Sequence, residues 1–90
     1  MNRRPVVTTQ QEFFCNFPAG ALFSVNEGMP VALALEHASN LLACVDSLSG
    51  HIVDGSAHAS EAYAIQCLAE MAKALVDACV SGSLHAEGSQ

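Results

Sequence analysis

Tryptophan is absent, and beyond the first few residues so is nearly every cation. The basic side chains are Arg3, Arg4 and Lys73, set against nine carboxylates, for a net charge of -6. A nucleic-acid surface needs clustered Lys and Arg to displace counterions from phosphate. A body with Lys73 alone is expected to repel DNA and RNA, and an anionic membrane surface is disfavoured on the same ground. Nor is a secretory leader expected. Arg3 and Arg4 imitate a basic start, but "PVVTTQQEFF" is broken by polar residues, and Pro5 follows the arginines directly. Residues 62–80 approach the length of a bilayer span, yet Glu70, Lys73 and Asp77 would each cost about 2.5–3.5 kcal/mol at its centre. The expectation is a soluble, cytoplasmic protein without nucleic-acid or membrane partners.

The catalytic and metal signatures are equally sparse. Four cysteines occur, Cys15, Cys44, Cys67 and Cys79, but no C-x-x-C, which removes the usual signature of a zinc ribbon or a thioredoxin-like motif. There is no glycine-rich phosphate loop and no evident carboxylate pair. Glu36, His37 and Ser39 are close in sequence but point in different directions around a helix, so they assemble no nucleophile, base and orienter. In 90 residues there is little room for a pocket of the usual ~300 Å³ or more unless two copies form it. The chain is therefore read as non-enzymatic, with no cofactor or resident metal.

What is present is apolar, at 51% of residues, and carried by alanine, leucine and valine. That excludes a disordered acidic tail and favours helices over sheets. Residues 1–12 lack periodicity and read as a mobile arm. In residues 13–25, "FFCNFPAGALFSV", four phenylalanines are interrupted by Pro18 and Gly20, a spacing that fits no long helix; "ALFSV" suits a short strand or an extended strap, over residues 22–25, laid on a helical surface. Phe23 is expected to be buried there.

After the turn signal "NEGMP", apolar residues recur at Val31, Ala34, Ala38, Leu41, Val45, Leu48 and Ile52. From Ala34 onward the steps alternate between four and three, the mark of a helix face. Leu35 and Leu42 widen the stripe. A first helix is predicted over about 30–52, ending near Ser49 or at Val53. A second is predicted over about 57–81, capped by Asp54 or Ser56, stopped by Gly82 and followed by a disordered tail at 83–90. It carries two apolar seams. One reads Ile65, Leu68, Ala72, Leu75, Cys79; the other Ala64, Cys67, Met71, Ala74, Ala78. Gln66, Glu70, Lys73 and Asp77 form the polar stripe, within which Glu70 and Lys73 are expected to pair.

Helix 1 can cover only one seam. A two-helix hairpin of this size normally buries too little to fold alone. The fold class predicted is all-α: an antiparallel hairpin, residues 13–82 with the strap included, that dimerises through a twofold contact into a four-helix bundle. Phe23, Tyr63, Ala64, Cys67, Met71, Ala74 and Ala78 are the expected interface, against a second copy or an unknown protein partner.

The segments "LFSVNEGMPVALALEHASNLLACVDSL" and "AYAIQCLAEMAKALVDAC" resemble a family of small bacterial proteins known only as a domain of unknown function, family 3077. The shared pattern falls on Leu22, Phe23 and Val25, on Gly28 and Pro30, and on Ala34, Leu35, Ala38, Ser39, Leu41 and Leu42. In the second helix it falls on Ala62, Tyr63, Ala64 and Leu68, and on residues 70–75. The resemblance spans roughly residues 22–79. It implies a helical hairpin and carries no activity, cofactor or site residue with it.

Two weaker constellations suggest the rival reading, a small-molecule, metal or redox sensor at a dimer interface. A hairpin turning near Gly55 would put Cys44 and Cys67 at one height on opposite helices, as a redox pair. His51, Asp54 and His58 flank the same turn and could offer three ligands to a metal. Both are weighed against the plainer alternatives, cysteine as a small buried hydrophobe and histidine as a solvated loop residue.

Overall fold

A computed structural model describes residues 6–56 and 58–88. Arg3 and Arg4, Ala57 at the expected start of the second helix, and the last two residues of the expected tail lie outside them.

The chain runs β1 (Glu12–Phe17), β2 (Gly20–Val25), α1 (Val31–Val53), α2 (Ala59–Gly88). The predicted all-α class is thus corrected: the strap is a two-stranded antiparallel hairpin, with Glu12 opposite Val25, Phe14 opposite Phe23 and Phe17 opposite Gly20. Pro18 and Ala19 make the turn between strands. The composition allows it, since phenylalanine and valine suit a pleated surface. Phe14 and Phe23, directly opposite, stack with ring centroids 5.6 Å apart, the kind of cross-strand pair that stabilises a hairpin. Phe23 therefore stacks on Phe14 and stays 57% exposed, against the expectation that it is buried.

α1 starts after Pro30 and runs to Val53, the longer of its two expected ends. The seam predicted for it faces α2: Ala34 and Ala38 are buried, and Val31, Leu41, Val45 and Leu48 are half-buried. Asp54 does not cap α2. Its carboxylate accepts the Ser56 N–H at 2.9 Å and the Ser56 hydroxyl, closing the interhelical turn around Gly55, whose φ is 79°. α2 continues through Gly82 to Gly88, so the stop expected at Gly82 and the disordered tail expected from residue 83 are both replaced by helix as far as Gly88.

Gly82 has a different role. Residues 7–9 run antiparallel to residues 28–31, with Thr9 N–H donating to the Met29 carbonyl at 2.8 Å and Val31 N–H to the Val7 carbonyl at 3.0 Å. The same stretch crosses α2, where Gln10 N–H donates to the Ala78 carbonyl at 3.1 Å. A Cβ on Gly82 would collide with the Thr8 carbonyl oxygen and lie 2.9 Å from its carbon. Only glycine lets the two backbones approach this closely. Thr9 is the largest fully buried side chain among the described residues. Its hydroxyl donates to the Asn26 carbonyl at 2.7 Å and accepts from Met29 N–H at 3.1 Å. The arm expected at residues 1–12 is therefore fixed to the fold over 7–12.

α2 is central, with α1 packed on one flank and the β-hairpin on the other. The molecule measures 56 × 34 × 15 Å. α1 and the β-hairpin both pack on α2 and not on each other, so the three pieces lie side by side. Domains ordinarily stack two layers around a core; here a single layer leaves both faces open.

Candidate functional site: an uncharged apolar face

The two helices turn opposite flanks to the two faces of this layer. On one face α1 presents Leu33, His37, Asn40 and Cys44, at helical steps of four, three and four. α2 presents Ala64, Cys67, Met71 and Leu75 beside them. Leu33, Met71 and Met29 are exposed, although all are long apolar side chains. Val25, Met29, Leu33, Ala34, His37 and Leu75 enclose a cavity of about 240 Å³ there. None of the residues at these positions carries a formal charge when histidine is neutral. The other face carries Leu35, Leu42, Val76 and Val80, but also Asp46 and Lys73, and Lys73 pairs with Asp77 at 2.7 Å. That i,i+4 pair takes the place of the expected Glu70–Lys73 contact.

The predicted interface residues divide. Ala74 and Ala78 are buried beneath the hairpin, in a cluster with Val25, Phe14 and Leu75. Their cover is the chain's own strand. Ala64 and Cys67 are half-buried, whereas Met71, Tyr63 and Phe23 remain open. All four cysteines are free thiols. Cys44 is exposed, and the Cys67 side chain is hydrogen-bonded to the Tyr63 phenol, the main reason the phenol is held above its ordinary pKa. Cys79 is buried, which pushes its thiol up, and it donates weakly to the Val31 carbonyl at 3.8 Å. A thiol raised by burial is a poor nucleophile.

The proposed metal ligands take other partners. His51 Nδ1 bonds Glu61 Oε2 at 2.5 Å across the interhelical turn, and Asp54 serves Ser56. Among the described residues, no group of three or more His, Cys, Asp or Glu is placed to hold a metal ion. Glu61 is the partner that periodicity missed; pairing the helices about Gly55 would have brought it to His51. Its hydrogen bond raises the His51 pKa above 6.5 and, from the other side, lowers that of Glu61 below 4.5. The histidine's contribution is full below its unfolded value and fades as pH rises through the raised folded one. That of the glutamate is full above its unfolded value and fades as pH falls through the lowered folded one. The turn is therefore expected to be firmest between about pH 4.5 and 6.5. His51 is exposed and Glu61 only half-buried, so the pair is screened by salt and the effect is small. Thermal melts of the parent and His51→Ala across pH should diverge most in that window and converge at alkaline pH. Parallel curves would exclude the pair as a contributor.

On the far side of α2 lies an open groove of about 780 Å³, between the whole of β1 and Gln66, Glu70, Lys73 and Asp77. Its lysine is already neutralised by Asp77. The groove is wide and open, and its lining joins Phe13, Phe14, Phe17 and the free thiol of Cys15 to the carboxylates of Glu12, Glu70 and Asp77.

The family described as a protein of unknown function (DUF3077) matches residues 11–82, and the chain belongs to it. No curated protein and no solved structure matches the chain.

Proposed function

We propose that this DUF3077 member is a non-enzymatic interaction or regulatory module that works as a homodimer. One observation carries the reading: the buried apolar residues are small. Among the described residues they are five alanines, Cys79 and Val25, while Leu, Met and Phe side chains stand in solvent. Burial stabilises by roughly 25 cal/mol per Å² of apolar surface, and alanine offers little of it. A folded monomer of 9.4 kDa should expose about 5,000 Å², whereas this chain exposes 6593 Å². An excess on the order of 1,000 Å² is what one partner of a stable homodimer buries.

α1 is also long and apolar enough, by length and composition, to cross a membrane. Glu36 and Asp46 along it argue against that use, because each would cost about 2.5–3.5 kcal/mol near mid-bilayer, and its best apolar seam is already spent on α2. The polar groups that could suggest chemistry are engaged in building the fold: Thr9 in the N-terminal crossing, Asp54 and Glu61 at the turn, Asp77 on Lys73.

Light scattering at micromolar concentration is expected to give twice the chain mass of 9.4 kDa. The unfolding midpoint should rise with protein concentration, as mass action requires of a dimer that unfolds to monomers. A folded monomer whose midpoint ignores concentration would end this reading.

A further inference from the structure

Of the two open faces, the geometry points to the one bearing Leu33, His37, Cys44, Met71 and Leu75 as the surface that receives a second copy of this chain. The inference rests on the homodimer reading and adds which surface is used. Three observations select it. First, charge: a twofold contact places each side chain near its own image or that of a neighbour, so a face carrying Asp46 would oppose like charges, and a buried unpaired carboxylate is costly. The favoured face has no formal charge at these positions. Second, shape: the cavity bounded by Val25, Met29, Leu33, Ala34, His37 and Leu75 is a concave apolar seat beside the exposed Met71. A projecting leucine or methionine from the partner would fill it. Third, continuity: this face joins residues of the β2 end, α1 and α2, so one contact would cover parts of all three. The open face of a single layer is thereby converted into the interior of a double one, the arrangement in which helices normally bury their second seam.

A second copy suits the face better than an unrelated partner. The excess of the chain's exposed surface over that of an ordinary monomer of its mass is of the size one partner of a stable homodimer removes, and a self-complementary apolar surface needs no charge match from outside.

The experiment compares Leu33→Asp and Met71→Asp with Leu42→Asp on the opposite face, by light scattering, circular dichroism and dimer dissociation constant. Leu33, Met71 and Leu42 are all exposed in the single chain, so any differential effect reports on association. The first two variants are expected to weaken the dimer by about 100-fold or more, as truncating or charging the centre of an interface does, with loss of helix wherever folding needs the partner. Leu42→Asp should remain dimeric. Because a dissociated chain could simply unfold, a second measurement uses the parent protein. Cys44 is exposed in the single chain, and its maleimide labelling should slow as concentration drives association, relative to unfolded protein in urea. A parent that is monomeric overturns the homodimer reading and the surface together. A dimeric parent that tolerates both aspartates, or that leaves Cys44 reacting at its unfolded rate, overturns the surface alone. Dissociation by Leu42→Asp with the other two intact moves the interface to the opposite face. Flotation of the parent with phosphatidylcholine vesicles in place of self-association assigns the face to lipid and overturns the proposal.

Discussion

Gly82→Ala is expected to destabilise the fold by about 2 kcal/mol or more, although the substitution sits inside a helix. In an exposed helical position the same change would gain up to about 1 kcal/mol, because alanine is the better helix former. At Gly82 the new methyl collides with the Thr8 carbonyl, a backbone group on a segment held by bonds to Met29, Val31 and Ala78. Relief would require moving that whole segment, and overpacking of this kind costs about 1–3 kcal/mol or more. Gly50→Ala is the internal standard: it is also in a helix, and a Cβ there meets nothing within 4 Å. Urea midpoints at one fixed protein concentration should move in opposite directions for the two variants. If Gly82→Ala matches or exceeds the parent, the close crossing of residues 7–10 over α2 is not present in solution.

Thr9→Val should cost about 3 kcal/mol, nearly as much as losing a core residue. The change keeps shape and volume and deletes only the hydroxyl. That group is fully buried and serves two backbone partners, the Asn26 carbonyl and the Met29 N–H. Each buried polar group left unmatched costs about 1–3 kcal/mol. Thr9→Ser retains both hydrogen bonds and loses one methyl, for about 1 kcal/mol. The ordering of the midpoints, parent above serine above valine, is the test. Equal losses for serine and valine would assign the role of Thr9 to packing.

Much of the helical architecture was legible because it obeys one period. The seam from Val31 to Leu48 repeats every three or four residues, and those residues face α2. Pro30 and Gly55 bracket α1 for local reasons of backbone geometry, so its limits could be read closely. The hairpin was not legible as such. Phenylalanine occupies adjacent positions 13 and 14, which erases the alternation that normally announces a strand, and Pro18 with Gly20 read as a break in a strap when they flank a turn. Cys15 adds to this with a φ of 60° in mid-strand, a conformation no cysteine advertises.

The candidate face was half legible. Met71 stands open on it, as the second seam of α2 implied, but Ala74 and Ala78 of that seam are covered by the hairpin. The contribution of α1 through Leu33 went unnoticed, since that position lies off the dominant stripe, and Cys44 was read only as the redox partner of Cys67 in the rival reading. Thr9 and Gly82 were read as part of a loose arm and as a helix stop. Their meaning depends on a contact between distant parts of the chain, and neither residue type signals that contact locally. In both cases the information lay in a tertiary contact made with backbone, by the Thr9 hydroxyl in one and by the bare Cα of Gly82 in the other, which leaves almost no trace in side-chain pattern.

The crossing of residues 7–10 over Ala78 and Gly82 also sets an order of events in the cell. A ribosome delivers the early segment first and its anchorage on α2 last. Until that anchorage emerges, the four phenylalanines of residues 13–23 have no helix to rest on, and a stretch of that composition is prone to bind whatever apolar surface it meets. Contacts between such remote parts of a chain close slowly compared with a helical hairpin. The helices can therefore assemble within the newly released chain before the N-terminal segment swings across and locks, and that last step seats Phe14 over Ala74 and Ala78.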